Sequence, residues 1–380
     1  MIQSKLPNVG TTIFTRMSAL AAREGALNLS QGFPDFDGPL AMREALAKHV
    51  MDGRNQYAPM AGVVALREQI AAQLELHRQV KCDPGDEITV VPGATEAIFC
   101  AIQAAIRPGD EVIVFDPCYD SYQPAIELAG GKAVHLRLNQ VDFTVDWEQV
   151  QQSIGARTRM IIINSPHNPS GTTLSHDDLL QLEQLVEKSN LLVISDEVYE
   201  HLVFDQKRHV SVLQYPALRQ RSFAVFSFGK TFSVTGWKTG YCIAPPALTS
   251  ELRKVHQFVT FVAVTPIQMA LADFMRDEPQ YPASLAGFYQ GKRDLFCNAL
   301  SASRFSVIPS AGTFFQMLDY SDISLDNDAE LSITWTREKG IAAIPISVFY
   351  ESPPQQQYLR FCFAKGDEVL QQAAEILCKI

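Results

Sequence analysis

Residues 159–204 read RMIIINSPHNPSGTTLSHDDLLQLEQLVEKSNLLVISDEVYEHLVF. Arg159–Ile163 and Leu191–Ser195 are short, almost wholly apolar runs, and Asp177–Lys188 between them has a helical pattern. A strand, a helix and a second strand in that order imply a crossover connection, so the two strands lie parallel. Apolar runs without alternation are what strands covered on both faces require.

The pattern continues outward. Strands are expected at Glu87–Val91, Glu111–Phe115, Ala133–Leu138, Phe223–Ser227 and Thr239–Ile243, and helices at Ala41–Val50, Leu66–Leu76, Ala94–Ile106 and Tyr122–Ala129. The sum is an α/β protein with a mainly parallel central sheet and helices on both faces. From Tyr281 the character changes to a long helix, short strands within FSVIP, TFFQML and YLRFCF, and a final helix, a smaller α+β unit. The first 38 residues read as irregular and rich in turn formers.

The 380 residues fit about two domains at about 150 residues each. With 32 Lys and Arg against 42 Asp and Glu, the net charge is −10. That disfavours a nucleic-acid binder with a broad cationic surface and a polybasic membrane anchor. The most apolar window, Phe258–Leu271, contains Thr260, Thr265, Pro266 and Gln268 and falls short of the ~18 apolar residues of a membrane span. The N-terminus has no uninterrupted apolar stretch and does not read as a secretory signal. Seven scattered cysteines without a CxxC or Cys/His cluster read as buried free thiols of a cytoplasmic protein, with no metal site.

Ligands of an open parallel sheet sit beyond the carboxyl ends of its strands. There the chain carries Pro92-Gly93-Ala94-Thr95 opening a helix, then Asn164-Ser165-Pro166-His167-Asn168, then Asp196-Glu197-Val198-Tyr199, then Phe228-Gly229-Lys230 followed by Lys238. Arg360 interrupts the apolar run YLRFCF. Each has an ordinary alternative: a tight turn, a helix cap, a surface lysine, an internal ion pair. Neither a P-loop nor a GxGxxG is present. Together they suit a phosphorylated aromatic aldehyde bound to lysine, with a carboxylate at its ring and an arginine for a second anion. Pyridoxal phosphate handling an amino acid has that chemistry.

In NSPHNPSG, ISDEVYEHLVF, SFGKTFSVTGWKTGY and YLRFCFAK, in that order, the chain resembles the class I aminotransferases of fold type I. The resemblance runs from SQGFPDF near residue 30 to residue 365 and is nearest to the methionine aminotransferase, kynurenine aminotransferase and glutamine transaminase K branch. It implies an N-terminal segment (1–38) belonging to the small domain, a large cofactor domain (39–280) and a small C-terminal domain (281–380). It also implies that Lys230 bonds covalently to pyridoxal 5′-phosphate and later carries a proton, and that Asp196 faces the pyridinium nitrogen. Tyr199 and Asn168 would reach the ring's 3′ oxygen, and Tyr119 would stack on the ring. Ser227, Lys238 and the backbone of Ala94 and Thr95 would hold the phosphate. Tyr57 would reach the other subunit's cofactor in a homodimer. Arg360, helped by Asn168 and Gly32, would bind the substrate carboxylate. Lys238 stands where many members have arginine, a point charge in place of a fork.

The resemblance also bears on the donor. Between His256 and Phe274 there is no arginine or lysine for a distal carboxylate, and Val259, Phe261 and Val262 stand there instead. With Phe14, Phe33, Tyr57, Tyr119 and Phe349, an apolar pocket is expected, suited to methionine and large apolar or aromatic amino acids, with glutamine and kynurenine admissible and a 2-oxo acid as acceptor. The alternative on the same scaffold is a cysteine-conjugate β-lyase, which product analysis separates from a transferase.

Overall fold

A computed structural model describes residues 2–355 and 357–380. The strands are β1 (Leu27–Asn28), β2 (Ile88–Val91), β3 (Glu111–Asp116), β4 (Lys132–Arg137), β5 (Thr158–Asn164), β6 (Leu192–Asp196), β7 (Ser222–Ser227), β8 (Gly240–Ile243), β9 (Ser306–Val307), β10 (Phe315–Asp319), β11 (Ile341–Ala342), β12 (Ile344–Pro345) and β13 (Tyr358–Cys362). Seven form the main sheet, in the order β2-β8-β7-β6-β5-β3-β4. β4, β3, β5, β6 and β7 run parallel, and β8 is antiparallel to both β7 and β2.

The unbroken apolar runs have a direct cause. Ile113, Ile161, Val193 and Phe226 enter one hydrophobic core, while their neighbours Val112, Ile162, Ile194 and Val225 enter another. Successive side chains point to opposite faces of a strand, so each face of the sheet is buried and the runs are mostly apolar, with small hydroxyl residues such as Thr89 and Ser195 buried among them. Helix Ala94–Ala105 packs over β7 and β8 on the second face, and helices Leu40–Met51 and Val64–Arg78 lie against helix Thr265–Asp277. Within the described residues no helix is long and apolar enough to cross a membrane.

The C-terminal part has its own sheet, in the order β12-β13-β10-β9 and antiparallel throughout. A third core, with Phe314, Phe315, Trp335 and Phe361, fills it.

The N-terminal expectation is corrected. Ile13–Glu24 is a helix and Leu27–Asn28 a strand paired in parallel with β11. Thr12 Oγ1 caps the helix by accepting from Thr15 N at 3.4 Å, and Gly25 ends it at φ 65°. Only Met17 and Ala21 are buried, so the helix has a thin apolar stripe that vanishes among neighbouring turn formers. The thiols are also less uniform than expected: Cys100, Cys118, Cys242 and Cys362 are buried, Cys82 and Cys297 partly so, and Cys378 is exposed.

Candidate active site

The carboxyl ends of β5, β6 and β7 place Asn164, Asp196 and Ser227 side by side, with Asn164 opposite Asp196 and Ser227 opposite Gly240 in register. They open into a cavity of about 320 Å³. Gly32, Ala94, Thr95, Tyr119, Asn168, Asp196, Tyr199, Ser227, Lys230, Lys238 and Arg360 all line it. Residues distant in sequence thus meet there because most of them end a strand or follow one, while Arg360 projects from the middle of β13.

Lys230 sits in the single helical turn Phe228–Thr231 after β7. Its Nζ donates to the Gly32 carbonyl at 2.8 Å and lies 5.2 Å from the Phe314 ring centre and 5.6 Å from that of Tyr199. Burial, reinforced by the Arg360 and Lys238 charges, lowers its amine to about 8. A tenth or so of such an amine is unprotonated near neutrality, the form that attacks carbonyls.

Asp196 is 4% exposed. Burial raises its carboxyl to about 6, opposed by the Tyr122 hydroxyl, which donates to Oδ2 at 2.6 Å, and by the Val198 amide. The carboxylate stays ionised at neutral pH but is short of positive charge, so a bound cation gains by facing it. Tyr199 packs edge-on to Phe314 and Phe315, and burial holds its phenol well above the usual range. Tyr119 is similarly pushed up to about 12, chiefly by burial.

Helix Ala94–Ala105 begins at Gly93 (φ 87°) with no side-chain cap. Its free N–H groups at Ala94 and Thr95 make an anion site. Lys238, itself at φ 46°, brings its ammonium over Gly93: a methyl there would meet Nζ at 3.2 Å. Glycine therefore serves both the turn and the close approach.

Arg360 projects from β13 and is 1% exposed. Nη1 donates to Asn168 Oδ1 at 2.6 Å and Nη2 to the Ser30 carbonyl at 3.1 Å, while Nε is buried with no partner among the described residues. Cζ lies 3.8 Å from the Phe315 ring centre, 5.2 Å from that of Phe14 and 5.3 Å from that of Phe349. Among the described residues no carboxylate forms an ion pair with it, which removes the internal salt bridge as an explanation. Burial pulls its guanidinium down to about 10, still charged at neutral pH.

Tyr57 and Phe261 are not in this cavity. They pack edge-on at 5.5 Å on the surface, 84% and 40% exposed, with Phe261 at φ 72°. Two contributors, Tyr122 and the strand-end residue Asn164, were given no role by the sequence. Tyr122 is the donor to Asp196, and the Asn164 side chain ties two loops together, accepting from Asn168 N and donating to the Asp196 carbonyl, each at 2.8 Å. Tyr122 opens helix Tyr122–Leu128, and its ring meets that of Tyr119 edge-on at 5.8 Å.

A parallel sheet with a desolvated lysine, an uncapped helix end and an unpaired arginine around one cavity defines a class of enzyme. The chain belongs to the class I and II aminotransferase family, whose model matches residues 24–377, and it is an aminotransferase. That family depends on pyridoxal phosphate, and its substrates are amino acids and 2-oxo acids. The methionine aminotransferase of Escherichia coli (strain K12) is 52% identical over 375 residues, 99% of this chain and 97% of that one. The crystal structure of YbdL from E. coli, described as having methionine aminotransferase function, superposes with TM-score 0.98 at 51% identity over the whole of both chains. A probable N-succinyldiaminopimelate aminotransferase of Mycobacterium tuberculosis is 38% identical (98% of this chain, 97% of that one), and kynurenine–oxoglutarate transaminase 3 of Rattus norvegicus 35% (98% and 88%).

Proposed function

We propose that this aminotransferase takes the amino group of methionine and of large apolar or aromatic amino acids, glutamine and kynurenine included, and passes it to a 2-oxo acid. Pyridoxal phosphate is the cofactor, held by Lys230, and the working form is a homodimer. The observation that carries the reading is Arg360: a buried, charged guanidinium without a carboxylate, in the same cavity as a lysine lowered to about 8.

The cavity fits the cofactor. Asp196 is a buried carboxylate short of a cation, and the open N–H groups of Ala94 and Thr95 with Ser227 and Lys238 form an anion cradle that a side chain at Gly93 would crowd. When bound, pyridoxal phosphate supplies an aldehyde for the amino group and a ring that accepts the electron pair left at the substrate Cα. Asp196 would keep a bound ring nitrogen protonated, and Tyr122 holds the Asp196 carboxylate in place. Tyr199, Asn168 and Tyr119, which line the cavity, would hold the ring, the first two through hydrogen bonds and Tyr119 by packing. Arg360 fixes the substrate carboxylate through its fork, with the amide of Asn168 beside it. Lys230, which would hold the cofactor, would also stand as the base for the Cα proton.

The 52% identity with a methionine aminotransferase and the apolar residues Val259, Phe261 and Val262 support the donor preference. The exposed aromatic pair Tyr57 and Phe261 supports a second subunit covering it. A panel of amino acids against several 2-oxo acids tests the reading. Methionine, phenylalanine and kynurenine should exceed aspartate in kcat/KM by at least about 100-fold, the scale of one unpaired buried charge. Aspartate as the best donor would overturn it.

A further inference from the structure

The end of β3 carries a cluster that the reaction does not use. Asp116 is 2% exposed, and its two oxygens are divided. Oδ1 faces His135 Nδ1 at 2.7 Å, from the neighbouring edge strand β4. Oδ2 accepts the backbone N–H of Glu351 at 2.9 Å. Two more bonds run from the same sheet edge to the same segment: Cys118 N donates to the Phe349 carbonyl at 2.7 Å, and Arg137 Nη2 donates to the Ser352 carbonyl at 2.7 Å. At its other end the segment is tied by Ser347, whose N and Oγ donate to the Asp328 carboxylate at 2.7 and 2.6 Å. Residues 347–352 are therefore clamped between the main sheet and the C-terminal unit.

What lies between the clamps matters. Phe349 presents its ring to the Arg360 guanidinium at 5.3 Å and meets Phe14 edge-on at 5.9 Å. Cys118, which holds the Phe349 carbonyl, directly precedes Tyr119 in the cavity wall. The His135 ring is committed to Asp116 alone among the described residues, because its Nε2 is buried without a partner.

We propose that Asp116 and His135 are positioning residues, which hold segment 347–352 so that Phe349 fixes Arg360 in the orientation that receives the substrate carboxylate. The inference rests on the reading of Arg360 as the carboxylate site. His135 orients the Asp116 carboxylate, Asp116 fixes Glu351, and Phe349 two residues earlier is set against the guanidinium. Because the carboxylate is common to every amino acid and 2-oxo acid, the effect is on substrate binding in general and not on the choice of side chain.

The test uses the cofactor-loaded enzyme with His135→Ala, His135→Asn, Asp116→Asn and Arg360→Met. His135→Ala should raise KM about 3- to 10-fold for methionine, phenylalanine and the 2-oxo acid alike, with kcat within about twofold and the cofactor spectrum unchanged. Amide hydrogen exchange at Glu351 and Ser352 should quicken in parallel. His135→Asn, whose amide nitrogen can stand near the Nδ1 position, should recover most of the loss. Asp116→Asn, which keeps one acceptor and loses the other, should behave like His135→Ala and serves if that variant does not fold. Faster exchange with an unchanged KM would overturn the proposal. So would a KM effect confined to one class of side chain, or a His135→Asn variant as impaired as His135→Ala. If Arg360→Met leaves KM unmoved, the carboxylate reading fails and takes the clamp with it. If Arg360→Met raises KM and the His135 and Asp116 variants do not, only the clamp fails.

Discussion

Replacing Arg360 by methionine should damage the reaction far more than the fold. Burial holds the guanidinium at about 10 against its ordinary 12.5, so keeping it charged at neutral pH costs about 3 kcal/mol. For a base whose folded-state value is lowered, the penalty is full below about pH 10 and fades above it. Methionine removes that penalty. It also removes the donors to Asn168 Oδ1 and the Ser30 carbonyl, at about 1–2 kcal/mol each. The two nearly cancel, and without substrate the variant should stay within about 2 kcal/mol of the parent in urea unfolding. With substrate the balance is different. An amino acid carboxylate left unpaired in this buried corner loses about 3 kcal/mol or more, at least about 100-fold in kcat/KM. Steady-state kinetics with methionine alongside unfolding curves separate the two quantities. A variant that keeps kcat/KM within about threefold, or that loses about 4 kcal/mol of stability as a broken internal ion pair would, refutes the reasoning.

Tyr122→Phe removes the hydroxyl from Asp196 and should weaken cofactor binding about 10-fold, measured by equilibrium dialysis; unaltered affinity would mean that the 2.6 Å bond does not support the ring site. Asp196, raised to about 6, is an anion above that pH and is neutralised below it, so cofactor affinity should drop as pH falls from about 7 to about 5; a flat profile would contradict its pairing with a protonated ring. Lys230 is the converse: a base lowered to about 8, it destabilises the cofactor-free fold while protonated, and that penalty shrinks between about pH 8 and 10.5. Lys230→Met should therefore flatten stability across that range, as read by thermal melting at several pH values. Gly93→Ala places a methyl 3.2 Å from Lys238 Nζ at φ 87°, and should cost about 1–2 kcal/mol of stability and loosen the phosphate site, visible as faster cofactor loss on dialysis.

The main sheet is legible in the sequence because its strands are buried on both faces. Val112 and Ile113, or Ile161 and Ile162, go to opposite cores, so the runs stay mostly apolar without alternation. The site is legible for the same reason: Asn164, Asp196 and Ser227 stand at the ends of such runs, where the sheet stops and a ligand begins. The N-terminal helix is not legible, because its stability comes from two buried side chains, Met17 and Ala21, on a helix packed against helix Asp328–Glu338, at the far end of the chain. Tyr122 escapes for a related reason. A tyrosine in a helix carries no mark of the carboxylate 74 residues away that it holds. The Asp116–His135 pair depends on the register of β3 against the edge strand β4, which apolar pattern alone does not fix.

The most direct measurement is reduction of the cofactor-loaded enzyme with borohydride, followed by mass analysis of the peptide that carries Lys230. A phosphopyridoxyl group on the ε-amine of Lys230 is the expected product, with loss of activity in step with the modification. Label on another lysine, or a Lys230→Ala variant that still transfers amino groups at the parental rate, would contradict the assignment of the site.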